Sequence, residues 1–252
     1  MGLFIKLDEM SEQTTKRPVP DFDHGDISDF YDRVYYRNGI DRRAPAFHLR
    51  RLARRFEPWA GRRILDVACG PGSWLEAVAA RGAIVSGIDI SQVALDACES
   101  ALPQAEIHCG PAEHLPFADR RFDFISCLGA LEHFLDPEAS LREMVRVAKP
   151  DAYFLLLVPN ADFLPSRLGL YSGTVQASVK EEARSLIEWQ QLFRSAGLRV
   201  QARWKDLHIL SPAWIFRGRC YGWPLRAVQA LALPFWPLRW QYQVYYLCVL
   251  NK

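Results

Sequence analysis

The sequence predicts an α/β protein with a Rossmann-like, doubly wound sheet of seven strands, mostly parallel with an antiparallel last strand. Three observations support this fold class. Short apolar segments alternate with helix-like segments from residue 64 onward. Residues 153–158 form a continuous apolar run, as expected for a parallel strand that is buried on both faces. Glycines stand after the first strand and after several helices, where the chain must turn sharply.

The predicted elements have recognisable ends. Ser91 is expected to cap one helix, and Asp136 followed by Pro137 is expected to start another. Gly82 and Gly197 each follow a helix, at the position where a C-terminal glycine is common. The strands are expected at 64–68, 84–90, 106–109, 122–127, 153–158, 198–205 and 242–250. The helices are expected at 44–59, 73–81, 91–100, 136–149 and 180–196, with a short helix-like pattern over 28–39.

The length of 252 residues, half of them apolar, fits one large domain. We expect a mobile tail over residues 1–25 and a single domain over 26–252. The core of this domain is expected at 61–160, with lid insertions at about 161–179 and 206–241.

The net charge of +2 provides no bulk attraction to nucleic acid. No secretory signal or apolar run of about 18 residues is visible, so we expect no transmembrane segment and a cytoplasmic location. The six cysteines are scattered without metal-ligand spacing, which predicts buried thiols and no metal.

The sequence places a ligand site after the first two strands. Gly70 and Gly72 follow the first strand, where a missing Cβ lets the backbone turn and approach a ligand. Asp89 ends the second strand, where a carboxylate can accept hydrogen bonds from both hydroxyls of a ribose. Asp66 is expected to brace the loop amides or hold a water. Leu75 replaces the third glycine of a dinucleotide fingerprint, which disfavours but leaves open a Rossmann-type oxidoreductase.

Several segments resemble the class I S-adenosylmethionine-dependent methyltransferases, in particular the UbiE-like, type 11 group. They are 64–72 (ILDVACGPG), 87–91 (GIDIS), 110–117 (GPAEHLPF), 122–124, 131–137, 146–150 and 158–160. The resemblance covers about residues 61–160. It implies S-adenosylmethionine as the cofactor and methyl transfer to a small-molecule acceptor, at an O, N or C atom, by in-line displacement.

The resemblance also implies a role for each part of the site. Gly70 and Gly72 would pass the amino-acid part of the cofactor, and Asp89 would hold its ribose. The full cofactor-binding set implied is Asp66, Ala68, Gly70, Gly72, Asp89, Ile90, Ala112, Glu113, Cys127 and Leu128. Ala112 and Glu113 would lie beside the adenine, and Cys127 and Leu128 along the methionine arm. Pro111 departs from the family, which often has an adenine-binding Asp there.

The catalytic residues are less well defined by the sequence. His133 is the best candidate for a general base, because it follows the fourth strand at the ligand end of the sheet. Alternatively it belongs to a structural turn before Asp136. Tyr31 and Tyr35 either close over the cofactor or pack in the interior.

The acceptor remains open, as does the oligomeric state. Residues 206–241 combine aromatic side chains with arginines, which fits a pocket for an aromatic or lipid-like acceptor, a peripheral contact with a bilayer, or a helical cap on the sheet, the last being our expectation. The residues after the fourth strand lack the Asn/Asp-Pro-Pro-aromatic sequence typical of nucleic-acid amino-methyltransferases. A non-catalytic S-adenosylmethionine-binding or scaffold protein is the alternative function.

Overall fold

The structure, a computed structural model, describes residues 22–37, 39–40, 47–167, 182–206, 223–232 and 235–251. The strands are β1 (Arg63–Val67), β2 (Ile84–Asp89), β3 (Glu106–Cys109), β4 (Phe122–Leu128), β5 (Ala148–Pro159), β6 (Leu198–Lys205) and β7 (Gln243–Leu250). The helices are α1 (His24–Phe30), α2 (Phe47–Arg55), α3 (Ser73–Ala79), α4 (Gln92–Ala101), α5 (Pro137–Val147), α6 (Leu164–Arg167), α7 (Leu186–Ser195) and α8 (Trp223–Ala232). A π-helical turn (Tyr31–Tyr35) continues α1, and 3-10 turns cover Leu131–His133 and Leu238–Trp240.

The seven strands form one sheet in the order β3-β2-β1-β4-β5-β7-β6. The first five strands pair in parallel, and β7 runs antiparallel to both of its neighbours. The predicted fold class is therefore confirmed. The chain adds β2 and β3 on one side of β1 and then β4 on the other side. This reversal creates a switch point between β1 and β4, where doubly wound sheets leave a crevice for a ligand.

The apolar residues of the central strands alternate between two cores, one on each face of the sheet. In β5, Phe154, Leu156 and Val158 face the core that also contains buried residues of α5 and α7. Leu155 and Leu157 face the other core, beside Trp59 and Trp74. This alternation follows the two-residue period of a strand, and it explains why the run 153–158 is apolar throughout.

Gly87, in the middle of β2, allows α3 to pack closely against the sheet. A Cβ at this position would lie 2.7 Å from Cys69 Sγ, 3.0 Å from Leu75 Cδ1 and 3.1 Å from Ile107 Cδ1. Leu75 is fully buried. In a dinucleotide fingerprint, a third glycine on the helix provides the room for close packing. Here Gly87 on the strand provides that room, and the Leu75 side chain fills it.

The helix starts agree with the sequence where side-chain caps were expected. Ser91 Oγ accepts a hydrogen bond from Ala94 N at 3.2 Å, and Asp136 Oδ1 accepts one from Ala139 N at 2.8 Å. The expected helix at 180–196 begins later, at Leu186. Before it, Arg184 forms a β-bridge with Asn160, and the Glu182 amide donates to Glu132 O. The cap of α7 is Ser185, with Glu188 completing a capping box.

The strand expected at 153–158 is longer than predicted. Ala148 pairs with Phe122, so β5 starts directly after α5 ends at Val147. A register shift between Phe122 and Phe124 absorbs the polar residues that separate the two parts of the strand.

Helix α1 starts just inside the segment 1–25 that was expected to be a tail. Asp23 Oδ1 accepts from Asp26 N at 2.9 Å and Asp26 Oδ2 accepts from Asp23 N at 3.1 Å, a capping box that starts α1 at His24. Residues 1–21 of the tail, residues 168–179 of the first lid insertion, and residues 207–222 and 233–234 of the second lie outside the described residues. Within the described ranges, no helix has the length and apolar character needed to cross a membrane.

We predict that Gly87→Ala destabilises the protein, because the added methyl group collides with Cys69, Leu75 and Ile107. Overpacking of this kind costs about 1–3 kcal/mol. The expected fall in melting temperature is roughly 2–4 °C per kcal/mol for a chain of this size. Thermal unfolding followed by circular dichroism measures it. Gly110→Ala is the matched control, since the nearest heavy atom to its Cβ is 3.9 Å away. Equal melting temperatures for both variants would contradict the prediction.

Candidate functional site

A cavity of about 280 Å³ opens at the carboxyl edge of the sheet, beside the ends of β1, β2 and β4. Its size is close to the lower end of the range of small-molecule pockets, about 300–1,000 Å³. The described residues that line it are His24, Ile27, Tyr31, Tyr35, Tyr36, Ala68, Cys69, Gly70, Pro71, Ile88, Asp89, Ile90, Gly110, Pro111, Ala112, Glu113, Leu128, Gly129, Ala130, His133, Phe134 and Leu135. The cavity therefore lies at the switch point of the sheet.

Asp89 joins the loops that follow β1 and β2. Its Oδ2 accepts a hydrogen bond from Gly70 N at 2.7 Å, and its Oδ1 accepts one from Ser91 N at 2.9 Å. Gly70 has a φ of +53°, a left-handed conformation that glycine adopts without strain. Ala68 also has a positive φ, of 59°, which is uncommon for a residue with a Cβ. The glycine loop and the carboxylate predicted to share a ligand are thus in direct contact.

Burial raises the pKa of Asp89, and hydrogen bonds from the amides of Ser91, Gly70 and Ile90 oppose that shift. A carboxylate has about four acceptor positions, so these amides leave capacity for a hydroxyl group of a ligand.

Gly72 is absent from the lining residues of the cavity, although the sequence suggested a close approach to the ligand. Its φ is +83°, and a Cβ there would lie 2.5 Å from Cys98 Sγ. The missing side chain is therefore needed for packing against α4. Of the two glycines, only Gly70 brings its backbone to the cavity wall.

Asp66 also lies outside the cavity lining, and it does not brace the loop amides as expected. Ser126 Oγ donates to Asp66 Oδ1 at 2.6 Å, and Trp74 Nε1 donates to Ser126 Oγ at 2.9 Å. The carboxyl group is buried beneath the loop, and burial raises its pKa well above the ordinary value. The expectation is corrected: Asp66 links β1 to β4 and α3.

Glu113 stands in the cavity wall with both carboxylate oxygens engaged. Oε1 accepts from Asp136 N at 3.0 Å, and Oε2 lies 3.3 Å from His24 Nε2. Glu113 therefore connects the loop after β3 to the start of α5 and to α1. The sequence provided no signal for the contact with His24, because 89 positions separate the two residues. Ala112 lines the cavity beside it, as does Pro111, which has no N–H to donate.

Arg146 of α5 holds the rest of this loop. It donates to the carbonyl oxygens of Leu115 and Phe117, each at 2.9 Å. Its guanidinium also pairs with Asp119 and Glu143. Glu143 Oε2 in turn accepts from Leu115 N at 2.9 Å. The wall that contains Ala112 and Glu113 is thus anchored on a regular helix.

The N-terminal segment 24–36 covers the cavity. Ser28 Oγ donates to Ile90 O at 2.9 Å. The Asp32 carboxylate accepts from Ser91 Oγ at 2.5 Å and from Val93 N at 3.3 Å. Because these contacts start directly after Asp89, the segment is fixed to the strand end that forms one wall of the cavity.

Three tyrosines of this segment face the cavity. Tyr31 and Tyr35 pack edge to face at 5.4 Å, as do Tyr35 and Tyr36 at 5.0 Å. The Tyr36 hydroxyl lies 3.5 Å from the position of a Cβ on Gly70. Burial, followed by the charge of Asp89, raises the pKa of Tyr36, so its phenol stays neutral. Of the two interpretations of Tyr31 and Tyr35, the geometry fits closure over the cavity.

The opposite wall follows β4. Leu128 lines the cavity, whereas Cys127 is fully buried in the core between the sheet and α5, because neighbouring residues of a strand face opposite sides. His133 lies in the 3-10 turn before α5 and also lines the cavity. Its Nε2 is 3.8 Å from Glu132 Oε1. His133 therefore belongs to the structural turn and also to the cavity wall, and its role as a general base stays a prediction.

The charge of the cavity favours a cationic ligand over a phosphorylated one. Asp89 and Glu113 are carboxylates, and the described lining residues include no Lys or Arg. Carboxylates and the faces of tyrosine rings attract a cation. A dinucleotide would bring two phosphates into this acidic surrounding, which agrees with the missing third glycine in disfavouring a nicotinamide cofactor.

Comparison with known proteins agrees with this geometry. Residues 65–156 match a family model described as a methyltransferase domain. A ubiquinone biosynthesis O-methyltransferase of Alkalilimnicola ehrlichii is 33% identical over 159 residues, which are 60% of this chain and 62% of that protein. The uncharacterized methyltransferase YcgJ of Bacillus subtilis is 32% identical over 169 residues, 63% of this chain and 66% of that protein. The chain thus spans less than two thirds of either relative.

Solved structures share the fold. A putative methyltransferase solved with the Haloferax volcanii Trm112 methyltransferase activator has a TM-score of 0.63 and 21% identity, covering 82% of this chain and 90% of its own. The 4+2 cyclase SpnF has a TM-score of 0.63 and 19% identity, covering 92% and 98%. At such identities the likeness concerns the fold alone, and the cyclase illustrates that the fold hosts more than one chemistry.

We predict that Asp66→Asn raises the stability of the folded protein at neutral pH. The pKa of Asp66 is higher in the folded protein than in the unfolded chain. The folded protein therefore loses stability as the pH rises above the unfolded-state pKa, until the folded-state pKa is passed. Asparagine keeps an acceptor for Ser126 without a charge. We expect a gain in melting temperature of roughly 2–4 °C per kcal/mol recovered. The gain should vanish below about pH 4, where the unfolded carboxyl is also protonated.

Calorimetry over a pH series measures this difference. Asp123→Asn is the control of opposite sign, because Lys149 lowers the pKa of Asp123 despite its partial burial. A lower melting temperature for Asp66→Asn than for the wild type at neutral pH would overturn the assignment.

Proposed function

We propose that the chain is a class I S-adenosylmethionine-dependent methyltransferase of the UbiE-like, type 11 group, which transfers the methyl group of S-adenosylmethionine to a small-molecule acceptor by in-line displacement. The observation that carries the proposal is the hydrogen bond between Gly70 and Asp89 in the wall of one cavity. A backbone without a side chain and a carboxylate that would bind a ribose therefore face the same cavity.

The residues of the cavity fit the parts of this cofactor. Asp89 would accept a hydrogen bond from a ribose hydroxyl, since its oxygens retain acceptor capacity. Ile90 and Ala112, which follow β2 and β3, would contact the adenine through apolar surface. The tyrosine rings and the carboxylates suit the positive charge of a sulfonium. When bound, the cofactor supplies a methyl group that is already activated by its sulfonium sulfur.

The part of the cavity beyond β4 would hold the acceptor. Leu128, Phe134 and Leu135 provide an apolar wall, and the tyrosines of segment 24–36 lie among the other lining residues. These side chains would exclude water and hold the acceptor in line with the methyl group, which is where most of the rate acceleration of such a transfer can come from.

We propose a hydroxyl oxygen of an aromatic, lipid-like molecule as the acceptor. Relatives from Alkalilimnicola ehrlichii and Coxiella burnetii are named ubiquinone biosynthesis O-methyltransferases. The aromatic and apolar lining of the cavity suits such a molecule. A hydroxyl acceptor has a proton to lose, and His133 is the cavity side chain best able to take it.

We predict that Asp89→Asn weakens binding of S-adenosylmethionine by at least about tenfold, since a charged acceptor of hydrogen bonds contributes about 1.5–3 kcal/mol. Isothermal titration calorimetry measures the dissociation constant. Asp66→Asn is the matched control, because it makes the same change on the neighbouring strand outside the cavity and should bind normally. The proposal fails if the wild type does not bind the cofactor, or if both variants bind it equally well.

The acceptor can be identified with labelled S-adenosylmethionine. The protein is incubated with the labelled cofactor and a cell extract, and the labelled product is identified by mass spectrometry. We expect the label on an oxygen of a small molecule, whereas label on protein or nucleic acid only would exclude this acceptor class.

With that acceptor, we predict that His133→Asn lowers kcat by about 10²–10⁴-fold, the usual contribution of a general base. The dissociation constant of the cofactor should stay unchanged, because the proton transfer concerns the acceptor. His108→Asn is the control, since His108 pairs with Glu106 in β3 and is not among the lining residues. Retention of full kcat by His133→Asn would leave this residue only its role in the turn.

A further inference from the structure

The helix α8 exposes a continuous apolar surface. Trp223, Pro224, Val228 and Leu231 are all exposed, and Val228 and Leu231 have 62% and 74% of their surface accessible. At about 100° per residue these four positions fall on one side of the helix, within an arc of about 140°. Phe235, shortly after the helix, is 89% exposed. We call these five residues the α8 surface.

The chain around this surface is basic and rich in aromatic residues. Asp206 is the last acidic residue of the sequence, and residues 207–252 contain no Asp or Glu. The same stretch contains the cations Arg217, Arg219, Arg226, Arg239 and Lys252, and the tryptophans Trp214, Trp223, Trp236 and Trp240. Arg239 is exposed and its guanidinium lies 5.2 Å from the Trp240 ring. Arginine together with tryptophan is the composition of segments that lie at the surface of anionic bilayers.

The segment that follows α8 is fixed to the carboxyl edge of the sheet. Asn160 Nδ2, just after β5, donates to Arg239 O at 2.8 Å and to Gln241 O at 3.1 Å. Gln243 Nε2 lies 3.5 Å from the position of a Cβ on Gly129, which lines the cavity. The chain leading from the α8 surface thus reaches the edge at which the cavity opens.

We propose that the α8 surface docks on an anionic lipid membrane, with its apolar side chains in the interface and the exposed Arg239, which follows it in the chain, on lipid phosphates. This inference goes beyond the proposed methyl transfer and does not depend on it, since the docking rests on the exposed side chains and the charge of the C-terminal segment. For the proposed function it has one consequence: an acceptor dissolved in the bilayer would be supplied at the edge of the sheet that carries the cavity.

A second copy of the chain fits this surface less well than a membrane does. In a symmetric dimer through α8, each copy would present the same segment, which itself contains no Asp or Glu to pair with the arginines of the other copy. An anionic membrane provides both the apolar interior and the negative charge, and each nearby Lys or Arg strengthens such binding about fivefold.

Co-sedimentation with phospholipid vesicles tests the proposal. We expect the full chain to bind vesicles that contain phosphatidylglycerol and to bind pure phosphatidylcholine vesicles at least about tenfold more weakly, because several arginines contribute. Leu231→Asp and Phe235→Asp should each reduce binding to the anionic vesicles by at least about tenfold, since a charge replaces an apolar side chain that would enter the membrane interface. Arg239→Gln should reduce it about fivefold.

The matched control is Ile187→Asp. Ile187 is 69% exposed on α7, so the same type of change is made at another exposed apolar position, and vesicle binding should be unchanged. Melting curves and the dissociation constant of S-adenosylmethionine should be the same for all variants, which separates a failure of docking from a failure of the cofactor site.

Three results would overturn the proposal. The first is no sedimentation with anionic vesicles, or equal sedimentation with neutral ones. The second is unchanged vesicle binding by both Leu231→Asp and Phe235→Asp. The third is a dimer by light scattering that Leu231→Asp converts to a monomer, which would assign the α8 surface to a second copy of the chain.

Discussion

The hydrogen bond from the Gly70 amide to the Asp89 carboxylate joins the ends of two adjacent parallel strands, and the rest of the site is arranged around it. It forms because β1 and β2 end side by side in register and the chain after β1 can turn back at a glycine with positive φ. The same carboxylate accepts from Ser91, the residue that caps α4. One side chain therefore fixes the glycine loop, the start of a helix and a wall of the cavity. Segment 24–36 is then fastened to Ile90, Ser91 and Val93 directly behind it.

Missing side chains have two different purposes around this bond. Gly70 is bare where the backbone faces the cavity, with the Tyr36 hydroxyl close by. Gly72 and Gly87 are bare because Cys98, Cys69 and Leu75 occupy the space that a Cβ would need. Packing between helices and the sheet thus requires glycine at these positions, just as the approach to a ligand does at Gly70. Leu75 in place of a third glycine changes which element provides the room, while the helix still packs against the strand.

The electrostatic character of the cavity favours one kind of ligand over another. Its described lining has two carboxylates, several tyrosines and no Lys or Arg, an environment that suits an adenosine with a cationic sulfur better than one with phosphates. The fold by itself does not fix the chemistry of a site, since the cyclase SpnF shares it. Buried Asp66 shows the converse: a carboxyl in the first motif can serve the connection between β1, β4 and α3 through Ser126 and Trp74.

The sequence by itself determined the fold class, the caps at Ser91 and Asp136, and the pairing of a glycine loop with Asp89, because each depends on a local signal: apolar strand segments alternating with helices, a capping side chain, or a glycine at a strand end. Its local signals and its family resemblance together pointed to Ala68, Gly70, Asp89, Ile90, Ala112, Glu113, Leu128 and His133, which all line one cavity. Only the tertiary structure decided that Asp66, Gly72 and Cys127 turn away from it, and that His24 meets Glu113. Those outcomes depend on which atoms become neighbours when segments far apart in the chain pack together, and the pattern of residues within one segment does not specify these neighbours.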